Sequence, residues 1–269
     1  MGLVHVPQPY DFERSLDRFT FWGVDRANVW HDGGLHRVIG GREVRIAPLN
    51  GDVNVEPLDD AIEPSVRTLL GLELDLDSFY VFAEGEPVLA DLARRFRGYR
   101  PPLAPDPFEA LVSSITAQQV SLQSAFAVRS RFIERFGEPG RLAIAFPTRE
   151  RVARAREEEL TELGFSRRKA EYVLGVARAD IEFGELGLLP DDEVKARLTA
   201  LRGLGEWSAD WFLARHLARP QAWPAGDLGL RKAVLAFYPD VTDVRAAGVR
   251  FEPFQNLSAH YLLAGLRYQ

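Results

Sequence analysis

The stretch Leu201-Arg202-Gly203-Leu204-Gly205-Glu206-Trp207, inside LRGLGEWSADWFLARHL (residues 201–217), lies between two helical patterns and decides how the rest of the chain is read. Gly203 falls just past the end of the first pattern, where a glycine in the left-handed conformation commonly stops a helix. Gly205 lets the chain reverse tightly, and Leu204 between the glycines is placed to pin the turn to the helices beneath it. The second helix then opens with its first backbone N–H groups exposed at the turn. Those amides lack intrahelical partners and sit at the positive end of the helix dipole, so the turn is suited to an anion such as a phosphate. An ordinary glycine-turned helical hairpin would carry the same residues, and the stretch alone does not separate the two.

Downstream, WPAGDLGLRKAV (residues 223–234) places Asp227 at the start of another helix, where a carboxylate caps the first turn for about 1 kcal/mol. Upstream, DPFEALVSSITAQQVS (residues 106–121) begins with Asp106 as cap, Pro107 at the first helical position and Glu109 closing a capping box. This helical pattern breaks near Gln118-Gln119, resumes with Ser121 as a cap, and stops at Gly137. Further helices are expected over 148–163, 167–184, 191–201, 206–218, 227–237 and 254–266. Before residue 86 the pattern differs. A short amphipathic helix over 10–21 precedes alternating apolar segments around Val29, Val44 and Val53, punctuated by Gly33-Gly34 and Gly40-Gly41 as hairpin turns. The expected fold is α+β: a small N-terminal domain built on an antiparallel sheet (1–88), then an all-helical region in two lobes (89–269).

Composition narrows the function classes. Cysteine is absent, which removes disulfides, thiolate zinc sites, iron–sulfur clusters and a cysteine nucleophile. No apolar run approaches the ~20 residues of a spanning helix, and the start lacks a basic, then apolar leader, so a cytoplasmic protein (nucleoid-associated in a prokaryote) is expected. The net charge of −6 argues mildly against a nucleic-acid partner. However, the first hundred residues hold 17 acidic and 11 basic side chains, and the remainder is balanced. Arg129, Arg131, Arg135, Arg149, Arg151, Arg154, Arg167, Arg168 and Lys169 concentrate positive charge there, either as a DNA-facing surface or as a solvated face laced with Glu157, Glu158 and Glu159.

The quoted segments, in this order and spacing, resemble the helix–hairpin–helix DNA glycosylase superfamily, in its 3-methyladenine DNA glycosylase II (AlkA-type) branch. The likeness runs from about Pro101 to the end of the sequence and more weakly through the N-terminal third. It implies that Asp227 is catalytic and that Gly203, Leu204, Gly205, Gln118, Gln119 and Ser208 bind DNA. Gln119 stands where that branch has a leucine wedge that fills the gap left by a flipped nucleotide. Trp207 matches a pocket tryptophan. Trp211 and, within FEPFQNLSAHYLL (residues 251–263), Phe251 and Phe254 fall where the branch supplies further pocket aromatics. Trp207 and Trp211 lie one turn apart on one face and could equally be core aromatics. His216 and His260 read as structural or surface residues.

Strand-cutting relatives place a lysine two positions after the second hairpin glycine, where this chain has Trp207, so a monofunctional enzyme is implied. The resemblance thus implies hydrolytic release of an alkylated base from duplex DNA by a monomer with no cofactor, beyond a monovalent cation that the hairpin's backbone carbonyls could hold. An oxidised- or deaminated-base glycosylase and a non-enzymatic DNA-binding module are the alternatives.

Overall fold

The computed structural model describes residues 2–268. It is α+β, with strands β1 (Gly2–Val4), β2 (Val29–His31), β3 (Gly34–Ile39), β4 (Arg42–Leu49) and β5 (Asp52–Glu56) forming one antiparallel sheet in the order β1-β5-β4-β3-β2. The three hairpins turn on Asp32-Gly33, Gly40-Gly41 and Asn50-Gly51, every one of these residues with positive φ. Two left-handed residues give the turn whose twist matches the flanking strands. The first hairpin is one residue earlier than Gly33-Gly34: Asp32 takes the left-handed position, and Gly34 already pairs with His31. Val44, Ile46, Val53 and Val55 alternate onto the face closed by Phe12, Leu16, Val66 and Leu69.

Several helices are shorter than their apolar periodicity suggests. The first is two pieces, Phe12–Leu16 and Arg18–Phe21. The pattern over 148–163 divides into Arg149–Ala153 and Glu157–Glu162, because Arg156 is extended and Glu159 accepts its N–H, restarting a helix. Helix Arg167–Arg178 stops before a 3-10 turn at Phe183–Leu188. Helix Glu206–Arg215 ends where the His216 and Leu217 amides both turn onto the Phe212 carbonyl.

The helices form two cores. One draws on residues 108–222; the other joins residues 74–103 to residues 225–264. The sheet's core ends at Leu72, so the cores divide near residue 73, and residue 88 lies inside helix Pro87–Arg95. The N-terminal domain is fastened to the helices by buried charge. Arg37 on β3 and Arg129 both bind Glu109, while Arg129 also pairs with Asp25 and Asn28 binds both Asp25 and Arg37. Burial pushes the Glu109 carboxyl up, but the two guanidiniums outweigh it and hold it below the ordinary carboxylate range.

Candidate active site

Asp227 leaves the Pro224-Ala225-Gly226 turn with its N–H on the Pro224 carbonyl (2.8 Å), and its Oδ1 caps helix Leu228–Phe237 by accepting the Leu230 N–H at 2.8 Å. Oδ2 accepts two indole N–H groups, from Trp207 at 2.9 Å and from Trp211 at 3.1 Å. A carboxylate has about four acceptor positions, so one on Oδ1 is left for a water or a substrate atom. Helix Glu206–Arg215 packs in the first helical core and helix Leu228–Phe237 in the second. The carboxylate therefore sits on the seam between cores, held from both sides.

The indoles face Asp227 rather than an open pocket. Trp211 is only 7% exposed; the Arg215 guanidinium lies 3.8 Å over its ring and the His260 imidazole meets it edge-on at 5.7 Å. Its expected role as a stacking wall gives way to that of a donor, since Arg215 covers the ring. Trp207 is half-buried and keeps exposed surface. Phe251, 0% exposed, is enclosed by Trp223 at 5.1 Å and Tyr238 at 5.7 Å, and so presents no face to a base. Phe254 packs on Phe79 and Phe82 in the same core, away from the Asp227 contacts. The spacing of these two phenylalanines is that of an ordinary core segment.

Of the hairpin's two glycines, Gly203 alone takes a conformation that needs one; Gly205, expected to serve the tight reversal, has ordinary extended backbone with open space where a Cβ would point. Gly203 has φ +94, and a Cβ there would overlap the Tyr172 ring. Leu204 is buried against the first core. Gly205 is extended and provides no side-chain cap, so the opening amides of helix Glu206–Arg215 remain available to a ligand. Ser208 and Gln118 both bond within the protein. Ser208 is 1% exposed, pointing inward from the helix, and its Oγ accepts from Ser114 at 2.9 Å. Gln118 Nε2 donates to the Gly203 carbonyl at 2.8 Å and so braces the hairpin from below. Gln119, next along, is exposed with φ +56, at the tip of a turn flanked by exposed Val120 and Leu122.

Three residues near the carboxylate were not placed at the site by the sequence, which left Arg18 and Arg215 unremarked and read His260 as structural or surface. His260 is buried, and burial followed by Arg215, Arg18 and Arg267 holds it well below its ordinary value, so it is neutral. Arg215 stands four residues after Trp211, a spacing that would have signalled contact. Arg18 reaches the same region from the N-terminal domain and left no sequence signal. The chain's three lysines lie elsewhere: Lys169 donates to the Thr116 carbonyl, Lys195 pairs with Asp210, and Lys232 is exposed on helix Leu228–Phe237. Among the described residues no cluster of three or more His, Asp or Glu side chains could hold a metal ion, and no helix is long and apolar enough to cross a membrane.

Residues 112–245 match the model of the HhH-GPD superfamily of base excision DNA repair proteins. The chain is similar to the DNA-3-methyladenine glycosylase of Bacillus subtilis, at 29% identity over 84% of this chain and 79% of that protein. It is 30% identical to DNA-3-methyladenine glycosylase 2 of Escherichia coli over 59% of this chain and 57% of that protein. Among solved structures, a 3-methyladenine DNA glycosylase from Archaeoglobus fulgidus superimposes with a TM-score of 0.90 at 28% identity, covering 100% of this chain and 99% of the other.

Proposed function

Since this chain belongs to the HhH-GPD superfamily of base excision DNA repair proteins, we propose that it is a monofunctional DNA glycosylase, releasing alkylated purines of the 3-methyladenine and 7-methylguanine type and leaving an abasic site. The observation that carries this reading is the Asp227 carboxylate, fixed by two indoles and a backbone amide with one acceptor position open.

Cleavage of an N-glycosidic bond builds positive charge on the sugar. Asp227 stabilises that charge and, through the open position on Oδ1, orients and deprotonates the water that attacks C1′. The base leaves with the bonding pair. A purine alkylated on a ring nitrogen is already cationic and departs neutral, so no second carboxyl is needed as acid. The absence of a lysine at the 207 position supports hydrolysis over strand cutting through a Schiff base.

The hairpin amides hold a backbone phosphate of duplex DNA, and the turn at Gln119 enters the gap left by the flipped nucleotide. A monomer acting in the cytoplasm suffices. No step needs a cofactor, and a monovalent cation on the hairpin carbonyls would only add positive charge beside the phosphate. The Leu201 and Gly203 carbonyls each accept one hydrogen bond, from Leu204 N–H and Gln118 Nε2, and each keeps a lone pair for such an ion.

The test is base release from methylated duplex DNA by the purified protein, with Asp227→Asn alongside. Release of methylated purines by the parent and loss of at least about a hundredfold in the variant are expected. No release by the parent, or full activity in Asp227→Asn, overturns the assignment.

A further inference from the structure

Beside Asp227 the site holds a cation that no carboxylate pairs with directly among the described residues. Arg215 is the last residue of helix Glu206–Arg215, half-buried, its guanidinium stacked on Trp211. Among the described residues its side chain makes no ion pair, and its Nε is buried without a partner. The arginines around it do not resolve this. Arg267 is paired with Asp17 at 3.0 Å, while Arg18 adds a second guanidinium without an ion pair among the described residues. Burial and then Arg18 lower Arg215 to about 9, with Asp227 acting in the other direction, so it is cationic at neutral pH. Leaving that buried Nε–H without an acceptor is costly unless a ligand completes its bonds.

We propose, resting on the glycosylase reading, that Arg215 reads the flipped base by donating to a ring carbonyl oxygen, so that guanine-type lesions are favoured over adenine-type ones. The placement follows from Trp211. Its Nε1 touches Asp227 Oδ2 while its ring lies under Arg215, so the carboxylate and the guanidinium border the same indole, one at its edge and one over its face. A purine whose glycosidic bond lies at Asp227 extends from it by the breadth of its two rings, which brings the edge of its six-membered ring within reach of the Arg215 fork. A guanidinium has five N–H groups in a fixed fork and no acceptor. A carbonyl on that edge satisfies the fork, whereas the amine of adenine sets donor against donor and leaves both unpaired. The fork's charge also opposes the cationic base more than the neutral base that leaves, so the contact strengthens as the bond breaks.

The discriminating quantity is the ratio of 7-methylguanine to 3-methyladenine released from one methylated duplex preparation under single-turnover conditions. Arg215→Met, which keeps the stem over Trp211, is expected to lower that ratio about 10- to 100-fold, the range for a hydrogen bond to a charged donor. Arg215→Lys, which keeps the charge without the fork, should lower it too. A purely supporting role would slow both releases and leave the ratio unchanged; an unchanged ratio in the folded variants overturns the inference. Equilibrium binding separates this inference from the function beneath it. In the Asp227→Asn background, duplexes with a central hypoxanthine should bind more tightly than duplexes with adenine there, and adding Arg215→Met should abolish the difference. If the parent releases no base but this Arg215-dependent preference holds, the glycosylase assignment falls and the recognition stands. If base is released with a spectrum and binding indifferent to Arg215, the recognition falls alone.

Discussion

Trp211 and Asp227, sixteen residues apart in the chain, meet across the seam between the two helical cores, the indole Nε1 donating to Oδ2 at 3.1 Å. With Trp207 on the same oxygen, the carboxylate cannot rotate without breaking two hydrogen bonds.

Removing one of them should therefore misdirect the carboxylate without affecting the grip on DNA. Trp211→Phe keeps the ring under Arg215 and removes the donor. We expect the single-turnover rate of base release to fall about 10- to 100-fold, with the duplex Kd within about twofold of the parent. An equal loss in rate and affinity would mean that the substitution damages the site as a whole.

The hairpin prediction concerns binding. Gly203→Ala meets both a left-handed backbone and the Tyr172 ring, so the turn must open. A strain of about 1–3 kcal/mol is expected in a chemical-denaturation midpoint. Weakening of duplex binding by about tenfold or more should accompany it, measured by fluorescence anisotropy at fixed salt.

Gln119 separates strain from function. Gln119→Gly relieves a positive φ and should raise stability by up to about 1 kcal/mol. The same change removes the side chain proposed to enter the DNA stack, so lesion release should slow by about tenfold. A variant that is both more stable and fully active would exclude the turn from base flipping.

Glu109→Gln tests the fastening between domains. It leaves Arg37 and Arg129 buried with one carboxylate, Asp25, between them. The cost expected for breaking a buried pair is about 3–5 kcal/mol, read from urea unfolding.

The upper part of the acid limb of stability belongs to two buried histidines, His216 and, held further down, His260. The His260 imidazole is neutral in the fold, while in the unfolded chain it takes up a proton below its ordinary value of 6.5. The unfolded state then binds the extra proton, so stability falls as the pH drops beneath 6.5, by at most about 1.4 kcal/mol per pH unit. Glu109, held low in the fold, adds its loss at more acidic pH, as pH falls through its folded value. His260→Phe should reduce the slope just below pH 6.5 and leave the share of His216 and the more acidic part in place.

The features legible in the sequence are those governed by backbone chemistry. Asp106, Ser121 and Asp227 cap their helices as their positions imply, and Gly203 takes the left-handed turn. The resemblance offered Phe251 and Phe254 as pocket aromatics, but an aromatic in such a segment does not distinguish a pocket from a core, since both select aromatic side chains. The aim of the two indoles was hidden for another reason. It depends on a carboxylate delivered by a different helix, and only the packing of two cores brings them together. Ser208 and Gln118 were expected at the DNA because the resemblance placed them there; the structure satisfies them on each other and on the hairpin carbonyl. Arg18 lies beyond any local reading, nearly two hundred residues from Arg215.

The second core, joined from residues 74–103 and 225–264, also orders events on the ribosome. Its first part emerges long before its second and has no partner while the intervening hundred or so residues are made. Leu89 and Leu92, enclosed in the finished protein, are exposed on the nascent chain during that interval, a surface that chaperones recognise. Helix Gln255–Arg267 is the last of its elements to emerge and closes it. Chains released early would therefore present sticky, uncompleted lobes for proteolysis, and no partly made copy could cut bases from DNA.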